Sequence, residues 1–362
     1  MRIGLTFNVR RADTPAGATV GVCRDSAARR GILPLPGDDL DEEFDSPETI
    51  AAIAAALESL GHEVELLGYG EPLLQRLLSG PRPELVWNFA EGHGSGRSRE
   101  ARVPAVLEML DIPYTGSDPL TLAVTLDKPI AKQLVAVAGV ATPRWFVYEG
   151  DPASIDCQAV ALSFPVFVKP TCEGSSKGIL TSSVLYDLES LRAALRQLHE
   201  AYQQPVLVEE FIVGDELTVG VVGNDPPQVL GVMRVLPREP SALPFVYSLE
   251  VKRDWQRQVR YECPAALAAE DTRSVVDATL AAWRALGCRD VARFDFRLRD
   301  GVPYFLETNP LPGLSPTSGD LVLLAGSLGI EHRELIARIL SAAIGREGLV
   351  STPSSAAAPV TA

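Results

Sequence analysis

Apolar residues in the first ninety positions indicate two kinds of element. Residues 2–9, 62–67 and 84–89 form short, mostly apolar runs that are typical of β-strands. Ahead of the second run, Ser46-Pro47-Glu48 combines a serine N-cap, a proline in the first turn and an acid near the positive end of the helix dipole. The apolar stripe of that predicted helix is Ile50, Ile53, Leu57 and Leu60, and Gly61 ends it. Strands that alternate with helices predict a parallel α/β unit.

The same patterns continue along the chain. The predicted strands are 145–148, 166–169, 206–210 and 216–222, and the predicted helices are 103–110, 127–138 and 188–200. The stretch 206–222 is either an ordinary antiparallel pair or a connection at which two lobes meet. Residues from about 10 to 45 show no periodicity and are expected to form a long loop or an insertion. The Ser-, Ala- and Pro-rich tail 349–362 is expected to be disordered.

Composition narrows the class of protein. The formal net charge is -14 over 362 residues, which argues against non-specific nucleic-acid binding because such binding needs a basic surface. The sequence shows no signal-peptide pattern and no apolar run as long as a membrane span. The five cysteines are scattered without a CxxC pair, as expected of reduced thiols. We therefore expect a cytoplasmic globular protein with neither a nucleic-acid nor a membrane partner.

The first candidate site is the stretch FPVFVKPTCEGSSKG, residues 164–178. Lys169 follows a buried apolar run, and a lysine in that place must reach water or meet an anion. The loop 173–178 is rich in glycine and serine, so its backbone can wrap closely around a phosphate chain. Its spacing is not that of the GxxxxGK[ST] motif. The stretch is therefore either a phosphate-binding loop or a solvated hairpin whose lysine reaches water.

The second candidate site is a predicted hairpin near residue 300. Polar and apolar residues alternate over 293–297, so the polar side chains, Arg293 among them, share one face of a strand. Asp300-Gly301 predicts the turn, and the return strand brings further polar groups back beside the first strand. Two carboxylates and an amide are the hard oxygen ligands that Mg²⁺ prefers. The candidate ligands are Asp295, Glu307 and Asn309. The alternative is a charged outer face of a sheet.

In this order the motifs resemble the ATP-grasp superfamily, and within it the D-alanine–D-alanine ligase family. The matching stretches are IPYTGSDPLTLAVTLDK, FVKPTCEGSSKG, VLVEEFIVGDE, RFDFRLRDG and FLETNPLPGLSPTS. The resemblance covers residue 1 to about 345 and is strongest from Arg99 onward. It implies an α/β fold with α+β lobes. The lobes are an N-terminal parallel α/β domain (1–118), a central ATP-grasp lobe (119–212) and a C-terminal lobe (213–348), with ATP between the last two.

The resemblance also implies site residues. Two lysines and the 173–178 loop would hold the phosphates of ATP. The backbone of residues 209–212 would hold the adenine, and Glu216 would hold the ribose. The implied ATP-binding residues are Lys128, Lys169, Glu173, Gly174, Ser175, Ser176, Glu209, Glu210, Phe211, Ile212 and Glu216. Asp295, Glu307 and Asn309 would bind two Mg²⁺ ions, which Mn²⁺ could replace. The implied catalytic residues are Arg293, Ser175 and Lys252, of which Arg293 would stabilise developing negative charge.

The implied reaction is amide formation between two amino acids. One carboxylate attacks the γ-phosphate of ATP to give an acylphosphate, and an amine then displaces phosphate. Gly313 and Ser318 would meet the carboxylate of the second substrate, and Glu42 or Glu43 the ammonium of the first. Related ligases suggest a homodimer. A nucleotide-binding protein that does not ligate, and a kinase of small molecules, are the alternatives.

Two departures from the family pattern concern the amino-acid substrate. In EGHGSGRSRE, residues 91–100, Arg99 stands where the family carries an acid. In SLEVKRDW, Lys252 is followed by Arg253, where the family often carries a tyrosine. Arg253 is therefore a candidate for determining the substrate, and amino acids other than D-alanine are open.

Overall fold

The computed structural model describes residues 1–10, 39, 41–152, 154–155, 161–239 and 244–349. Most of the expected loop at 10–45, and all but the first residue of the expected disordered tail, lie outside these ranges. The strands are β1 (Arg2–Phe7), β2 (Glu63–Gly68), β3 (Leu85–Phe89), β4 (Trp145–Tyr148), β5 (Val166–Pro170), β6 (Val184–Leu185), β7 (Val206–Glu210), β8 (Asp215–Val222), β9 (Gln228–Pro237), β10 (Val259–Glu262), β11 (Val291–Arg299) and β12 (Val302–Asn309). The helices are α1 (Pro47–Ser59), α2 (Glu71–Ser79), α3 (Arg102–Met109), α4 (Pro119–Leu126), α5 (Lys128–Val137), α6 (Leu188–Tyr202), α7 (Leu249–Arg253), α8 (Trp255–Gln258), α9 (Ala269–Leu286), α10 (Asp320–Ser327) and α11 (His332–Arg346).

The N-terminal sheet is parallel, in the order β2-β1-β3, as the alternation of strands and helices predicts. α1 begins where the sequence indicates, because the Ser46 side chain accepts a hydrogen bond from the Thr49 amide at 3.2 Å. Gly61 follows the helix with a φ of +87°, a conformation that favours glycine. The predicted parallel α/β unit is confirmed.

The other two sheets are antiparallel. One has the order β4-β7-β5-β6 and the other the order β10-β9-β8-β11-β12. β7 and β8 are consecutive in the chain but belong to different sheets, so the alternative that they form an antiparallel pair is wrong. The segment 211–214 connects the two sheets and lies at the narrow cavity described below. The hairpin turn predicted at Asp300-Gly301 joins β11 to β12.

The region around residue 120 differs from its prediction. The sequence indicated a turn followed by one helix over 127–138, whereas the structure has two short helices, α4 and α5. Asp118 caps α4 through the Thr121 amide at 2.8 Å, and Asp127 caps α5 through the Ile130 amide at 3.2 Å. Each aspartate is followed within two residues by proline, and this repeated N-terminal signal was interpreted only as a turn at its first occurrence.

The apolar cores show how the sheets are joined. α5 packs against the five-stranded sheet and α9, with Val135, Trp283 and Phe294 in one cluster. α1 shares another cluster with α11, which includes Ile53 and Ile336. The final helices therefore pack on the N-terminal unit. The lobe limits at residues 118, 212 and 348 remain a prediction. No helix in the described part of the chain is long and apolar enough to cross a membrane.

Gly214 gives a test of the connection between the two antiparallel sheets. A Cβ atom built there would lie 2.0 Å from the carbonyl oxygen of Leu298 in β11, so Gly214→Ala must displace backbone. We expect a loss of about 1–3 kcal/mol in the free energy of unfolding, measured in urea. In Gly345→Ala, near the end of α11, the new Cβ meets nothing within 4 Å, and the expected change is between zero and a gain of about 1 kcal/mol. Equal effects of the two substitutions would contradict the close approach.

Candidate active site

Two cavities adjoin one another at the centre of the molecule. The larger has a volume of about 380 Å³ and lies between the N-terminal unit, the 173–178 loop and the segment after β12. The smaller, of about 80 Å³, lies between the two antiparallel sheets. Five residues line both cavities: Tyr247, Lys252, Arg293, Glu307 and Asp320. A ligand that fills the narrow cavity would therefore present one end to the wide one.

The narrow cavity brings together many of the residues implied for ATP. Lys169, Ser176, Glu209, Glu210, Phe211, Ile212 and Glu216 all line it. Phe167 and Phe211 add apolar area, as a flat heterocycle would require. The amides of Glu210 and Phe211 already donate to the carbonyls of Arg144 and Pro165, both at 2.9 Å. Among residues 209–212 the amide of Ile212 donates to no described group, which leaves it to a ligand.

The carboxylate of Glu209 is used by the protein itself. Its oxygens lie 2.9 Å from Lys169 Nζ and 2.8 Å from Lys132 Nζ, and all three side chains are buried. Burial opposes the charged form of Lys169, but Glu209 and Glu307 raise its pKa, whereas burial lowers the pKa of Lys132 to about 8. The alternative in which Lys169 reaches water is wrong. Lys132 was missed, although it follows Lys128 by four residues and so shares its helix face.

The 173–178 loop is held by side chains from the N-terminal unit. Ser175 and Ser176 have φ values of +48° and +60°, and these two serines face different cavities. The amide of Gly174 donates to Glu43 Oε1 at 2.5 Å. The carboxylate of Glu173 is bound by Lys177 at 2.5 Å and by Gln204 at 2.7 Å. Its side chain is therefore engaged within the protein, and its carbonyl accepts a hydrogen bond from Lys128, one of the lysines implied for the phosphates.

The hairpin β11–β12 places the predicted metal ligands side by side. Asp295 pairs with Glu307 and Arg293 with Asn309 across the strands. Asp295 Oδ2 accepts from Arg293 at 2.8 Å and from Asn309 at 3.4 Å, and Lys128 Nζ lies 3.5 Å from Glu307 Oε2. Arg293 and Glu307 line both cavities and Asp295 lines the narrow one, so the alternative of an outer charged face is wrong.

The electrostatics of this hairpin suit a cation. Burial and the neighbouring Glu307 raise the pKa of Asp295, although Arg293 opposes them. Against the effect of burial, Lys128 and Lys169 lower the pKa of Glu307 to about 2. A cation bound by both carboxylates would relieve their repulsion, so the donor set fits Mg²⁺. No group of three or more His, Cys, Asp or Glu that could hold a metal occurs among the described residues, and Asn309 would have to supply the third ligand.

Two predicted site residues have partners that the sequence did not reveal. Glu216 Oε2 accepts from Arg297 at 2.6 Å, and burial raises the pKa of Glu216. Lys252 Nζ lies 5.0 Å from the centre of the Tyr247 ring. The Tyr247 hydroxyl donates to Asp320 at 2.9 Å. Tyr247 was missed: it precedes Lys252 by five residues, and the sequence comparison looked for a tyrosine only after the lysine.

The wide cavity brings together most of the residues implied for the amino acids. Glu42, Glu43, Ser175, Gly313 and Ser318 line it. Arg253 is not among the lining residues, but it binds Glu42 at 2.9 Å, and Glu42 is part of the wall.

Glu43, however, is already engaged by the protein. Arg99 at 2.5 Å, Lys177 at 3.2 Å and the Gly174 amide all donate to its buried carboxylate. Glu42 is itself paired with Arg253, but 18% of its side chain is exposed against 4% for Glu43, so a substrate ammonium would reach Glu42 more easily. Arg99 also donates to the carbonyl of Cys172 at 2.6 Å, so this departure from the family pattern joins the N-terminal unit to the phosphate loop.

Three further carboxylates line the wall of the wide cavity, and none of them was among the site residues predicted from the sequence. We call Asp45, Glu91 and Glu100 the acidic wall. Within the described residues, none of their carboxylates accepts a hydrogen bond or forms an ion pair. Glu100 is only 7% exposed. Burial raises the pKa of Glu100 and of Asp45 to about 7, and that of Glu91 well above its usual value. They lie in loops whose side chains meet only in the folded chain.

Comparison with known proteins supports this description. The family profile "D-ala D-ala ligase C-terminus" matches residues 134–341. The uncharacterized protein y4sG of Sinorhizobium fredii is 36% identical over 300 residues, which cover 81% of this chain and 86% of that protein. A D-alanine–D-alanine ligase of Gloeobacter violaceus is 34% identical over 313 residues, covering 85% of this chain and 98% of the relative.

Solved structures give the same fold. The D-alanine–D-alanine ligase of Bacillus anthracis complexed with ATP superposes with a TM-score of 0.67 at 23% identity, covering 96% of this chain and 99% of that one. The VanG D-Ala:D-Ser ligase of Enterococcus faecalis superposes with a TM-score of 0.69 at 19% identity, covering 94% and 99%.

Two antiparallel sheets that enclose a narrow cavity, beside a parallel α/β unit, are the ATP-grasp fold that the solved D-alanine–D-alanine ligases share. The chain belongs to the D-alanine–D-alanine ligase family. The fold class and family predicted from the sequence are confirmed.

Glu100 gives a pH test of this electrostatic description. A carboxyl whose pKa is raised on folding favours the folded state at low pH and loses that contribution as the pH rises from its unfolded pKa, about 4.5, through its folded pKa, about 7. Arg99 and Lys128 oppose the shift, whereas Glu43 and Glu173 reinforce it. Glu100→Gln should therefore raise the free energy of unfolding of the free protein more at pH 8 than at pH 5. The difference between the two effects should be on the order of 2 kcal/mol.

The measurement is thermal or urea unfolding of both proteins at the two pH values. Glu58→Gln, which removes an exposed carboxylate from α1, is the matched control and should show no such pH dependence. If Glu100→Gln changed stability equally at pH 5 and pH 8, its carboxyl would not have a raised pKa.

Proposed function

We propose that this protein joins two amino acids, or similar small molecules, through an acylphosphate at the expense of ATP. The observation that carries the proposal is the meeting of the two cavities at Arg293, Lys252 and Glu307. A nucleotide whose base lies against Phe167 and Phe211 would have its terminal phosphate at this junction. The substrate carboxylate would approach from the wide cavity.

The described residues suit the first step. Lys169, and Lys128 beside Glu307, would hold the phosphates of ATP, and the amides of the 173–178 loop would cover them. Mg²⁺ held by Asp295, Glu307 and Asn309 would neutralise phosphate charge. The carboxylate oxygen of the first substrate attacks the γ-phosphorus, the bond to the β-phosphate oxygen breaks, and ADP leaves.

The second step forms the amide bond. The amine of the second substrate attacks the acyl carbon, the bond to the phosphate oxygen breaks, and the amine loses a proton. Arg293, fixed between Asp295 and Asp320, would stabilise the negative charge that develops on the tetrahedral centre. Lys252 would assist from the opposite wall, and Gly313 and Ser318 would hold the carboxylate of the second substrate. Ser175 would help to orient the first.

The identity of the amino acids belongs to the proposal. Several relatives are D-alanine–D-alanine ligases and one structural neighbour is a D-Ala:D-Ser ligase, so small D-amino acids are one candidate class. Glu42 would bind the first ammonium, and Arg253 would influence selectivity through its ion pair with Glu42. We also propose that the protein works with Mg²⁺ or Mn²⁺, in the cytoplasm and as a homodimer.

The non-ligating alternative and the small-molecule kinase have less support. Both would need the nucleotide cavity, but a protein that only binds nucleotide has no use for a second, larger cavity that shares five lining residues with it. A kinase would place its substrate in the wide cavity, so the product assay below is what separates it from a ligase. The named relatives among the most similar proteins are ligases.

Phosphate release from Mg-ATP tests the function. We expect release that depends on a pair of amino acids, across a panel of D- and L-forms, with an amide product identified by mass. A phosphorylated substrate without amide would favour the kinase. Bound ATP without release across the whole panel would favour the non-ligating protein.

Glu307→Gln and Asp295→Asn test the metal ligands. Each removes one negative charge from the carboxylate pair, and we expect turnover to fall by at least 100-fold in proteins that still fold. Glu307→Gln should also lose some stability, because Lys128 and Lys169 favour the charged form of Glu307. Asp300→Asn, in the turn of the same hairpin, is the matched control, because asparagine tolerates the φ of +51° found there. Normal activity in either site variant would remove that residue from the metal site.

A further inference from the structure

The acidic wall has no role in the mechanism above. Buried polar groups in proteins nearly always have hydrogen-bond partners, so each exception needs an explanation. Glu100 is more than nine-tenths buried, lines the wide cavity and has no hydrogen-bond or ion-pair partner within the described residues. Asp45 and Glu91 line the same cavity and are equally unpartnered there.

The nearby cations are already engaged. Arg99 binds Glu43 and the carbonyl of Cys172. Lys128 binds the carbonyl of Glu173 and lies near Glu307. Arg10 donates to the carbonyl of Glu42 at 3.2 Å and lies 3.9 Å from the carboxylate of Glu42. Within the described part of the chain, no cation is bound to the acidic wall, and a positively charged ligand would supply one.

One α-ammonium does not supply enough positive charge. An ordinary amino acid brings one ammonium to this side of the cavity, and Glu42 is placed to receive it. Its carboxylate must face the phosphate end, where Lys252 and Arg293 lie. The acidic wall then still faces the rest of the first substrate, which is its side chain. A neutral side chain would leave the buried Glu100 and the half-buried Asp45 and Glu91 without a cation, at a desolvation cost for each one that is ionised.

We propose that the first amino acid of the ligation carries a cationic side chain, an ammonium or a guanidinium, bound by Asp45, Glu91 and Glu100. This inference rests on the function proposed above and names its substrate class. A charge-assisted pair in a buried cavity discriminates strongly, because a neutral analogue leaves the same carboxylates unpaired. The acidic wall would therefore select for the side chain, while Glu42 recognises the part that all amino acids share.

The test compares amino acids that differ in one charge. Lysine is paired with norleucine and ornithine with norvaline, each in both enantiomers, at pH 8 with Mg-ATP. Calorimetry of the full chain gives dissociation constants, and phosphate release gives kcat/KM. In the unchanged protein we expect the cationic member of a pair to bind at least tenfold more tightly than its neutral counterpart, and to be the better substrate.

Variants locate the effect. Glu100→Gln and Glu91→Gln should reduce the cationic-to-neutral ratio at least tenfold and leave binding of the neutral amino acid within about threefold. Glu58→Gln, exposed on α1, should leave the ratio unchanged. Unfolding temperatures show whether each variant folds. Without ligand, the Glu100→Gln protein should be at least as stable as the unchanged protein. With lysine added, its unfolding temperature should rise by less. A variant that had lost only structural support would be less stable in both states.

The outcomes separate this inference from the proposed function. Amide formation with neutral amino acids at least as good as their cationic partners would overturn the inference and leave the ligase function in place. An unchanged ratio in both glutamine variants would overturn it as well. If no amino acid caused phosphate release, but calorimetry still showed a preference for lysine over norleucine that depends on Glu100, the proposed function would be overturned and the cation site would be supported.

Discussion

The site depends on one buried ionic network that connects the N-terminal unit to the phosphate loop. Glu43 accepts from Arg99, Lys177 and the Gly174 amide, and Lys177 also binds Glu173. These side chains are almost fully buried, so removal of any one charge would leave the others uncompensated, at a cost of about 3–5 kcal/mol. Because the network contains the backbone of the loop itself, it fixes the shape that the loop presents to both cavities.

A second constraint is that charged side chains with partners and charged side chains without partners lie on different sides of the site. Lys132, Lys169 and Glu209 form a fully buried group on the nucleotide side, in which each charge has a partner. On the amino-acid side, the three members of the acidic wall have none among the described residues. Protein stability alone favours the first arrangement. The second persists in natural proteins where a functional site needs it, because selection acts on function as well as on stability.

The sequence was sufficient wherever a local pattern determines the geometry. Alternation in β11 and an Asp-Gly turn fix which side chains of a hairpin face each other, and Asp295 does pair with Glu307 as predicted. The cap at Ser46 is equally local. By contrast, Arg99 and Glu43 lie 56 residues apart and belong to loops, so no periodicity relates them. Family resemblance indicated that either Glu42 or Glu43 would meet substrate, but only the three-dimensional contacts show that Glu43 is buried beneath three donors whereas Glu42 is more exposed and pairs with Arg253.

Arg99 shows how one substitution changes the balance of the wide cavity. The family pattern has an acid at this position, and a cation in its place would by itself make the cavity less acidic. The cavity keeps its acidic wall, because the guanidinium is 1% exposed and its hydrogen bonds go to Glu43 and to the carbonyl of Cys172, just before the phosphate loop. The charge of Arg99 is therefore neutralised within the protein, whereas the carboxylate of the neighbouring Glu100 faces the cavity. A departure that reads as lost acidity in the sequence therefore leaves Glu100 and Glu91, one position and eight positions away, as the carboxylates that a substrate would meet.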